Sequence, residues 1–454
     1  MSTRAINLTE GSVTKDIVRF TIPLFLSYLL QQLYNSVDTA VVGQFSGSAD
    51  LAAVGSTSAL INLLIGFFMG LATGTGVLYA MYFGSGNFKR LKKLIDNAMV
   101  LSFSIGLAIT AVGVIFTEQL LGIMHVPDDV LGPSVVYLRI FMSGTVVNML
   151  YNVGAGMLRA EGDSTRPLIY LFLGGLGNLI LDIVLVAYFH MGVAGAAIAT
   201  VAAQTVTAVL IYIRLHKLNQ EYAFKISKIR LDRSITWDIV RISVPCGLQS
   251  SMFNISNLLV QIKINAFGTA AIAGFTAFDK LDSFIFMAMA SLSLSISTFV
   301  GQNVGAGKYW RIKKGIGVTL AMCIAMSGLM SLAIMFFFQP LIHIFTKDET
   351  AAKYAWDMAC YLIPAVWFYS FVDILAGAVR GAGEAVPVTV ITAMTICVFR
   401  VVWLELLLHF RSEIEIVYLC YPVSWILCGI ATIWYYYRRS GLKKSMRREL
   451  QPAK

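Results

Sequence analysis

Apolar residues occur along this chain in long continuous runs, which short polar segments separate. About 20 consecutive apolar residues are enough for a helix to cross the hydrocarbon core of a bilayer. A transmembrane β-barrel is excluded, because its strands would alternate between apolar and polar positions. The runs predict twelve membrane-spanning helices: Ile17–Gly43, Leu51–Tyr82, Leu94–Thr117, Pro133–Leu158, Pro167–Phe189, Ala194–Leu215, Trp237–Ile264, Ala270–Val300, Gly315–Phe338, Lys353–Val379, Pro387–Leu408 and Ile414–Tyr437.

Composition supports a membrane protein. The 454 residues are 57% hydrophobic and 13% charged. A water-soluble domain of this length needs far more charge to cover its surface. The segment Met1–Lys15 is polar and lacks the apolar core of a cleaved signal peptide, so we expect the first span itself to direct insertion. The fold class predicted is therefore an all-α, multi-pass membrane protein.

Basic residues are distributed unequally between the predicted loops. Most of the 35 Lys and Arg residues lie at the two termini and in every second connection, whereas the opposite connections contain only Lys347, Lys353 and Arg411. Basic loops stay in the cytoplasm, so both termini are predicted to be cytoplasmic in a bacterial or archaeal inner membrane. The net charge of +10 is therefore a topology signal and does not indicate a nucleic-acid partner. Arg438–Lys454 is expected at the anionic lipid surface.

The chain repeats itself at an offset of about 221 residues. Each repeat contains six predicted spans, and an even number gives both halves the same orientation. We therefore expect two six-helix lobes related by a pseudo-two-fold axis along the membrane normal, with a cavity between them. Three pairs of segments define the repeat: Ile17–Pro23 with Ile239–Pro245, Gly84–Lys93 with Gly305–Lys314, and Gly156–Asp163 with Gly377–Glu384.

The repeat also predicts the domain boundaries. The N-terminal lobe is expected at residues 1–216 and the C-terminal lobe at 237–437, and they are joined by a basic cytoplasmic linker at 217–236. A basic cytoplasmic tail is expected at 438–454.

Motifs of soluble enzymes are not found. Gly301–Lys308 has the glycines of a phosphate-binding loop, but the register fails and Tyr309 stands where Ser or Thr is required. We therefore expect no ATP hydrolysis, no ATPase subunit and no cofactor. An intramembrane enzyme would need a His, Cys or metal constellation, which the chain lacks, so no enzymatic activity is predicted.

Four polar residues lie at matched depth in the N-terminal half. Counted from the span ends, Asp38, Asp182 and Thr200 are expected roughly 7–11 Å below the outer edge. Asn178 precedes Asp182 by one turn on the same helix face. An Asp at the bilayer centre costs roughly 2.5–3.5 kcal/mol. These residues either join neighbouring helices or form a cation site.

The donor types leave two cations open. Two carboxylates with neutral oxygens suit Na⁺, so a Na⁺ site is predicted at Asp38, Asn178, Asp182 and Thr200. Two close carboxylates also raise one another's pKa, so a proton is the alternative. In the repeat, Val260 is equivalent to Asp38, and Val398 and Val402 are equivalent to Asn178 and Asp182. Because only one half has these groups, they favour a function over helix packing.

Further polar residues are candidates for the substrate cavity. Pro23 is expected to bend the first span, on which Gln31, Tyr34 and Asn35 lead towards Asp38. In the C-terminal half, buried charges of both signs are interleaved along the spans. They either neutralise one another or, for Lys280, Asp373 and Arg400, line the cavity and contact substrate.

Several motifs together resemble the multidrug and toxic compound extrusion (MATE) family, and the resemblance covers nearly the whole chain. They are Pro23 with Val37-Asp38-Thr39, Gly301–Gly307, Arg159–Pro167, Asn178–Asp182 and Gly192–Thr200. The resemblance implies a V-shaped cavity, alternating access, and Na⁺- or H⁺-driven antiport of organic cations or other amphiphiles by a monomer. It also implies a cation site on Asp38, Asn178, Asp182 and Thr200, with the Ala196 carbonyl as a further ligand.

The branch within this family is suggested by one departure. Some relatives carry an acidic residue in the seventh span, where Phe253-Asn254 of this chain has none. The chain thereby resembles the DinF-like branch, although Asp373 resembles a tenth-span acid of the other branch.

Two other transport classes are alternatives. A lipid-linked precursor flippase of a related two-lobed fold would need a strongly cationic cavity; Lys280 and Arg400 fit this, but the N-terminal acids do not. A major-facilitator exporter usually carries an Asp in the loop that corresponds to Gly84–Lys93, and here there is none. The sequence thus favours secondary active efflux of small molecules across the lipid bilayer.

Overall fold

The computed structural model describes residues 6–124, 126–411 and 413–450, and its regular secondary structure in these ranges is helical. Residues 1–5 of the predicted N-terminal lobe and 451–454 of the predicted tail lie outside the described residues. The α-helices are α1 Val13–Phe45, α2 Ser48–Gly84, α3 Phe88–Ile115, α4 Thr117–Ile123, α5 Asp128–Ser143, α6 Thr145–Glu161, α7 Thr165–Asp182, α8 Gly192–His216, α9 Arg233–Asn265, α10 Thr269–Gly305, α11 Tyr309–Phe336, α12 Phe338–Ile342, α13 Glu349–Gly381, α14 Ala385–Thr392, α15 Phe399–Phe410, α16 Ile414–Arg438 and α17 Gly441–Leu450.

The predicted spans correspond to long helices. Nine helices of the described ranges are long and apolar enough to cross a membrane, and a tenth is obtained when α5 and α6 count as one broken span. Helices α1 and α9, the first and seventh predicted spans, fall outside this apolar set. Each is 33 residues long, or about 50 Å, and so has the length of a span. Polar residues such as Gln31 and Asp38 lie along α1.

The fourth predicted span is not one straight helix. The structure breaks Pro133–Leu158 at Gly144, where α5 and α6 meet at 47°. The hydroxyls of Thr110 and Thr145 donate to the Met142 carbonyl at 3.0 and 2.7 Å. This backbone carbonyl near the break therefore has hydrogen-bond partners. A Cβ at position 144 would lie 2.6 Å from the Val201 side chain, so glycine permits this close contact with α8.

Two other spans contain π-helical turns. Helix α7 continues after Asp182 as a π-helix at Ile183–Tyr188, and a second π-helix, Ala393–Val398, joins α14 to α15. A π-turn widens the helix locally, and such turns often occur at functional sites.

The chain packs into two compact units. Of the described residues, unit 1 contains Ile6 and those from 26 to 247, and unit 2 contains those from 7 to 25 and from 248 to 450. Helices α1 and α9 therefore each begin in one unit and end in the other. Pro23 and Pro245, which lie inside these helices, precede the change of unit by two residues. These units are defined by packing and the predicted lobes by the repeat, so the lobe and linker boundaries stay a prediction.

The glycine-rich motif Gly301–Lys308 holds the segment before α1 in unit 2. The amide of Asn303 donates to the Leu8 carbonyl at 3.1 Å, and the Lys308 ammonium donates to the Thr9 carbonyl at 2.9 Å. Arg311 donates to the carbonyls of Leu8, Glu10 and Gly11 at 2.8–3.2 Å. The lysine of this motif is thus engaged with the chain's own backbone.

The segment before α9 is held in a comparable way in unit 1. Asn97 donates to the Arg230 carbonyl at 3.2 Å and accepts from the Asp232 N–H at 2.9 Å. Lys93 forms an ion pair with Asp232 at 2.7 Å. Hydrogen bonds from Lys93 and from the Ile235 N–H lower the pKa of Asp232. The predicted linker is therefore bound where it enters α9.

Candidate functional site

Three helices place the predicted cation-site residues in the interior of unit 1. Asp38 lies on α1, Asn178 and Asp182 lie one turn apart on α7, and Thr200 lies on α8. All four side chains are buried, with 0% of Asp182 and 8% of Asp38 exposed. The predicted convergence depends on the pairing of α7 with α8, which pack along much of their length.

These side chains lie close to one another. The carboxyl groups of Asp38 and Asp182 are within electrostatic range of each other. The Asn178 amide donates to the Thr200 hydroxyl at 3.5 Å. The Tyr34 side chain lies next to Thr200 and within electrostatic range of both aspartates. The structure therefore brings the four predicted residues into one polar cluster.

The carboxylates of this cluster have no basic partner. No Lys or Arg of the described residues forms an ion pair with Asp38 or Asp182. One oxygen of Asp38, both oxygens of Asp182 and the Tyr34 hydroxyl are buried without a hydrogen-bond donor in the described ranges. A buried charge without a partner is costly, and a carboxylate in that position takes up a cation or a proton.

Few side chains of the cluster can serve as ligands of a cation. Within the described ranges, no three His, Cys, Asp or Glu side chains come close enough to hold a metal ion together. A cation bound between Asp38 and Asp182 therefore has two carboxylates, and its other ligands must be neutral oxygens such as that of Thr200. Oxygen ligands of this kind are suited to a hard cation.

Ala196 and Tyr137 complete the surroundings of the cluster. Ala196 is fully buried one turn before Thr200 on α8, and its role as a carbonyl ligand stays a prediction. Tyr137 of α5, 5% exposed, lies within electrostatic range of both aspartates. Tyr137 could not be predicted from the sequence, because no motif or spacing connects α5 with the acidic residues.

A cavity of about 180 Å³ opens beside the cluster, between α1 and α7. Tyr34 and Asn178 form its polar lining. Gln31 is half-buried and Asn35 is exposed on α1, and neither lines this cavity, so their contact with substrate stays a prediction. The rest of the lining is apolar and includes Leu30, Leu33, Val37, Phe172, Leu176 and Leu179.

The three candidates of the C-terminal half do not form one cluster. Lys280 is exposed on α10. Asp373 interacts with Ser293, which also accepts from Arg380 at 3.4 Å. Arg400 is 1% exposed on α15. No direct contact joins Lys280, Asp373 and Arg400 within the described ranges, and their role as substrate ligands stays a prediction.

Neutral groups hold Arg400 in unit 2. Its Nε donates to the Ser424 hydroxyl at 3.0 Å, and a terminal nitrogen donates to Asn257 Oδ1 at 3.1 Å. The guanidinium lies 4.3 Å from the centroid of the Tyr421 ring. Lys263, in contrast, pairs with Glu405 at 2.6 Å. Pairing with an opposite charge therefore explains how Lys263 is accommodated in its span, but it does not explain Arg400.

Comparisons with known proteins give one consistent result. The family model described as MatE matches residues 23–185 and 245–404, and the starts of the two matches differ by nearly the repeat offset. The "Probable multidrug resistance protein YoeA" of Bacillus subtilis (strain 168) is 26% identical over 451 residues, which are 98% of this chain and 97% of that protein. The "FAD transporter" of Shewanella oneidensis is 25% identical, covering 76% of this chain and 77% of the relative.

A solved structure shows the same fold. The "Outward-facing conformation of a multidrug resistance MATE family transporter of the MOP superfamily" superimposes with a TM-score of 0.90 and 22% identity, covering 99% of this chain and 100% of that chain. The all-α membrane fold with about twelve spans that the sequence predicted is thereby confirmed.

Proposed function

Because this chain belongs to the MatE family, we propose that it is a secondary active exporter that moves small organic compounds out of the cell by alternating access. Relatives named as multidrug resistance and multidrug export proteins match most of its length. The export is driven by entry of Na⁺ or H⁺. The chain acts as a monomer without an ATPase subunit, and it has no enzymatic activity.

The buried Asp38–Asp182 pair is the observation that supports ion coupling. Two interacting carboxylates without a basic partner bind a cation strongly when they are dry and release it when water reaches them. Binding of a cation removes their mutual repulsion and allows α1 and α7 to stay close. The ion then changes the relative free energy of the two conformations by as much as its affinity for them differs.

Helices α1 and α9 connect this site to the conformational change. Each contributes to both packing units, and each contains a proline two residues before the change of unit. A proline inside a helix removes one backbone hydrogen bond and permits bending. We therefore assign hinge roles to Pro23 and Pro245 during alternating access.

Orientation follows from the basic residues. Both termini face the cytoplasm of a bacterial or archaeal inner membrane, since the termini and alternate connections carry most of the Lys and Arg residues. Asp38, Asp182 and Thr200 then lie nearer the outer surface, from which the coupling ion enters.

The coupling ion can be identified by imposing one gradient at a time. Purified protein in proteoliposomes is given a Na⁺ gradient with the proton gradient collapsed, and then the reverse, while movement of a fluorescent organic cation is followed. The neutral oxygens of Asn178 and Thr200 favour Na⁺, because a proton needs no such ligands. We expect transport under the Na⁺ gradient. Transport under neither gradient would contradict the proposal.

The cavity beside the cation site suggests the substrate class. Its apolar lining and its volume of about 180 Å³ fit an aromatic ring, since a cavity of about 150 Å³ holds benzene. Its polar end meets Tyr34 and Asn178 next to two carboxylates. We therefore assign the cavity to the ring of an amphiphilic organic cation, whose positive group faces the acidic cluster.

A larger side chain at Gly175 tests this assignment. A Cβ there would meet only the Tyr34 ring, at 3.4 Å, so the side chain of a Gly175→Leu variant extends into the cavity. We expect export of a ring-bearing cation to fall about tenfold, since a buried ring contributes roughly 1.5–3 kcal/mol. Thermal unfolding should be nearly unchanged. Gly177→Leu is the matched control, because nothing lies within 4 Å of its Cβ position. Equal export by both variants would show that the cavity does not bind the ring of the substrate.

The flippase alternative is not favoured. A pyrophosphate-binding cavity needs free cationic groups, whereas Arg400 is already held by Asn257 and Ser424. The relative named "FAD transporter" indicates that substrates differ within the group of relatives, and it does not identify the substrate of this chain. The assignment to the DinF-like branch stays a prediction.

A further inference from the structure

The C-terminal helix α17 is fixed to unit 2 by a carboxylate and by two apolar side chains. Glu384 accepts hydrogen bonds from the Tyr435 hydroxyl at 2.7 Å, the Ser440 hydroxyl at 3.1 Å and the Leu442 N–H at 3.0 Å. Leu442 and Met446 are 3% and 1% exposed, and α17 packs on α11 and α16. The apolar side of α17 is thus used within the protein and is not free to insert into lipid.

The side of α17 next to these apolar residues carries basic side chains. Lys443 and Arg447 lie one helical turn apart, and Lys313 of α11 is within electrostatic range of Lys443. Burial, together with the charges of Arg447 and Lys313, lowers the pKa of Lys443. None of the three forms an ion pair within the described residues. Like charges one turn apart destabilise a helix, so helix stability does not explain why Lys443 and Arg447 are neighbours.

Exposed aromatic rings place the cluster at the depth of lipid headgroups. Trp310 near the start of α11 and Trp434 and Tyr437 near the end of α16 are each 52–55% exposed. Trp and Tyr concentrate at membrane interfaces, where the ring meets hydrocarbon and its polar atom meets water. The Lys443 ammonium lies 5.0 Å from the centroid of the Tyr437 ring. The cations therefore lie where the phosphates of the adjacent leaflet are found.

We propose that Lys313, Lys443 and Arg447 form a binding site for the phosphate of an anionic phospholipid. A guanidinium binds two phosphate oxygens at once, and the two ammonium groups supply further charge-assisted hydrogen bonds. A zwitterionic lipid carries its own positive group and gains less from the cluster. Since α17 is anchored through Glu384, a bound lipid stabilises the packing of α11, α16 and α17. This inference does not depend on the transported substrate or on the coupling ion.

Nanodiscs of defined composition test the proposal with the full chain. The phosphatidylglycerol fraction is varied in phosphatidylcholine, and thermal unfolding and retained lipids are measured, the latter by native mass spectrometry. We expect phosphatidylglycerol to raise the melting temperature of the wild type. The variant Lys313→Gln/Lys443→Gln/Arg447→Gln should bind phosphatidylglycerol about 100-fold more weakly than the wild type. Phosphatidylglycerol should then no longer raise its melting temperature. In pure phosphatidylcholine the two proteins should melt alike.

A matched variant separates a site from general surface charge. Lys89, Lys217 and Lys228 are exposed elsewhere on the chain, so the variant Lys89→Gln/Lys217→Gln/Lys228→Gln loses the same charge and should respond like the wild type. The proposal is overturned if both triple variants lose the stabilisation by phosphatidylglycerol equally, or if neither loses it. So does stabilisation by inorganic phosphate in pure phosphatidylcholine, which would indicate a site for a soluble anion. Should the triple variant not fold, Lys443→Gln and Arg447→Gln are measured singly, each with an expected loss of about fivefold.

Discussion

Replacing Asp182 by asparagine is expected to reduce ion-driven efflux at least about 100-fold while leaving the protein folded. In the proposed mechanism, the substitution removes one of the two negative charges that hold the coupling cation in a buried site. Two opposite unit charges about 4 Å apart attract by about 4 kcal/mol at an effective dielectric constant of about 20, so losing one carboxylate should weaken cation binding at least a hundredfold. Since Asp182 has no hydrogen-bond donor in the described ranges, asparagine also removes an unsatisfied charge. Thermal stability should therefore be equal or higher.

Efflux of a fluorescent cation from proteoliposomes, combined with thermal unfolding of the same preparations, checks this expectation. Asp38→Asn should behave in the same way, because its carboxyl interacts with that of Asp182. The control is Asp129→Asn, whose side chain is exposed in the first turn of α5. Normal coupling in either site variant would show that the pair does not carry the ion. Loss of folding in both would instead assign the carboxylates a structural role.

Arg400→Ala is expected to lower the stability of the protein by about 3 kcal/mol. The substitution removes two hydrogen bonds of a charged group, one to the buried Ser424 hydroxyl and one to the exposed Asn257 side chain, and hydrogen bonds to charged groups contribute roughly 1.5–3 kcal/mol each. It also leaves an empty space beside the Tyr421 ring. Thermal unfolding in detergent measures the effect. Arg400→Lys should recover only part of the stability, because an ammonium lacks the fork geometry that reaches both partners.

The same variants distinguish structural support from substrate binding. Arg411→Ala serves as a control, since Arg411 is exposed at the end of α15. If Arg400 contacts substrate directly, Arg400→Ala will melt like the wild type and lose transport. We expect the opposite result, because the guanidinium is 1% exposed and already bonded to neutral partners. A normal melting temperature would therefore contradict a structural role.

Local sequence was sufficient for the spans and the repeat. The length of a span depends on the number of consecutive apolar residues and on a constant rise per residue, so it can be read along one helix. The spacing of Asn178 and Asp182 likewise placed them on one face of α7. The repeat offset alone was enough to show that the second half has no acidic residues at the equivalent positions.

Only the tertiary structure decided which of these groups meet. Tyr137 comes within electrostatic range of Asp38 and Asp182 because α5 packs against α8. Arg400 is separated from Lys280 and Asp373 because different helices surround it. The break at Gly144 depends on Val201 of a distant helix. The engagement of Lys308 depends on a backbone carbonyl 299 residues away. Hydrophobicity and helical periodicity act over one segment and can be read from it. Contacts between segments depend on packing and on hydrogen bonds across the chain, which a single segment does not encode.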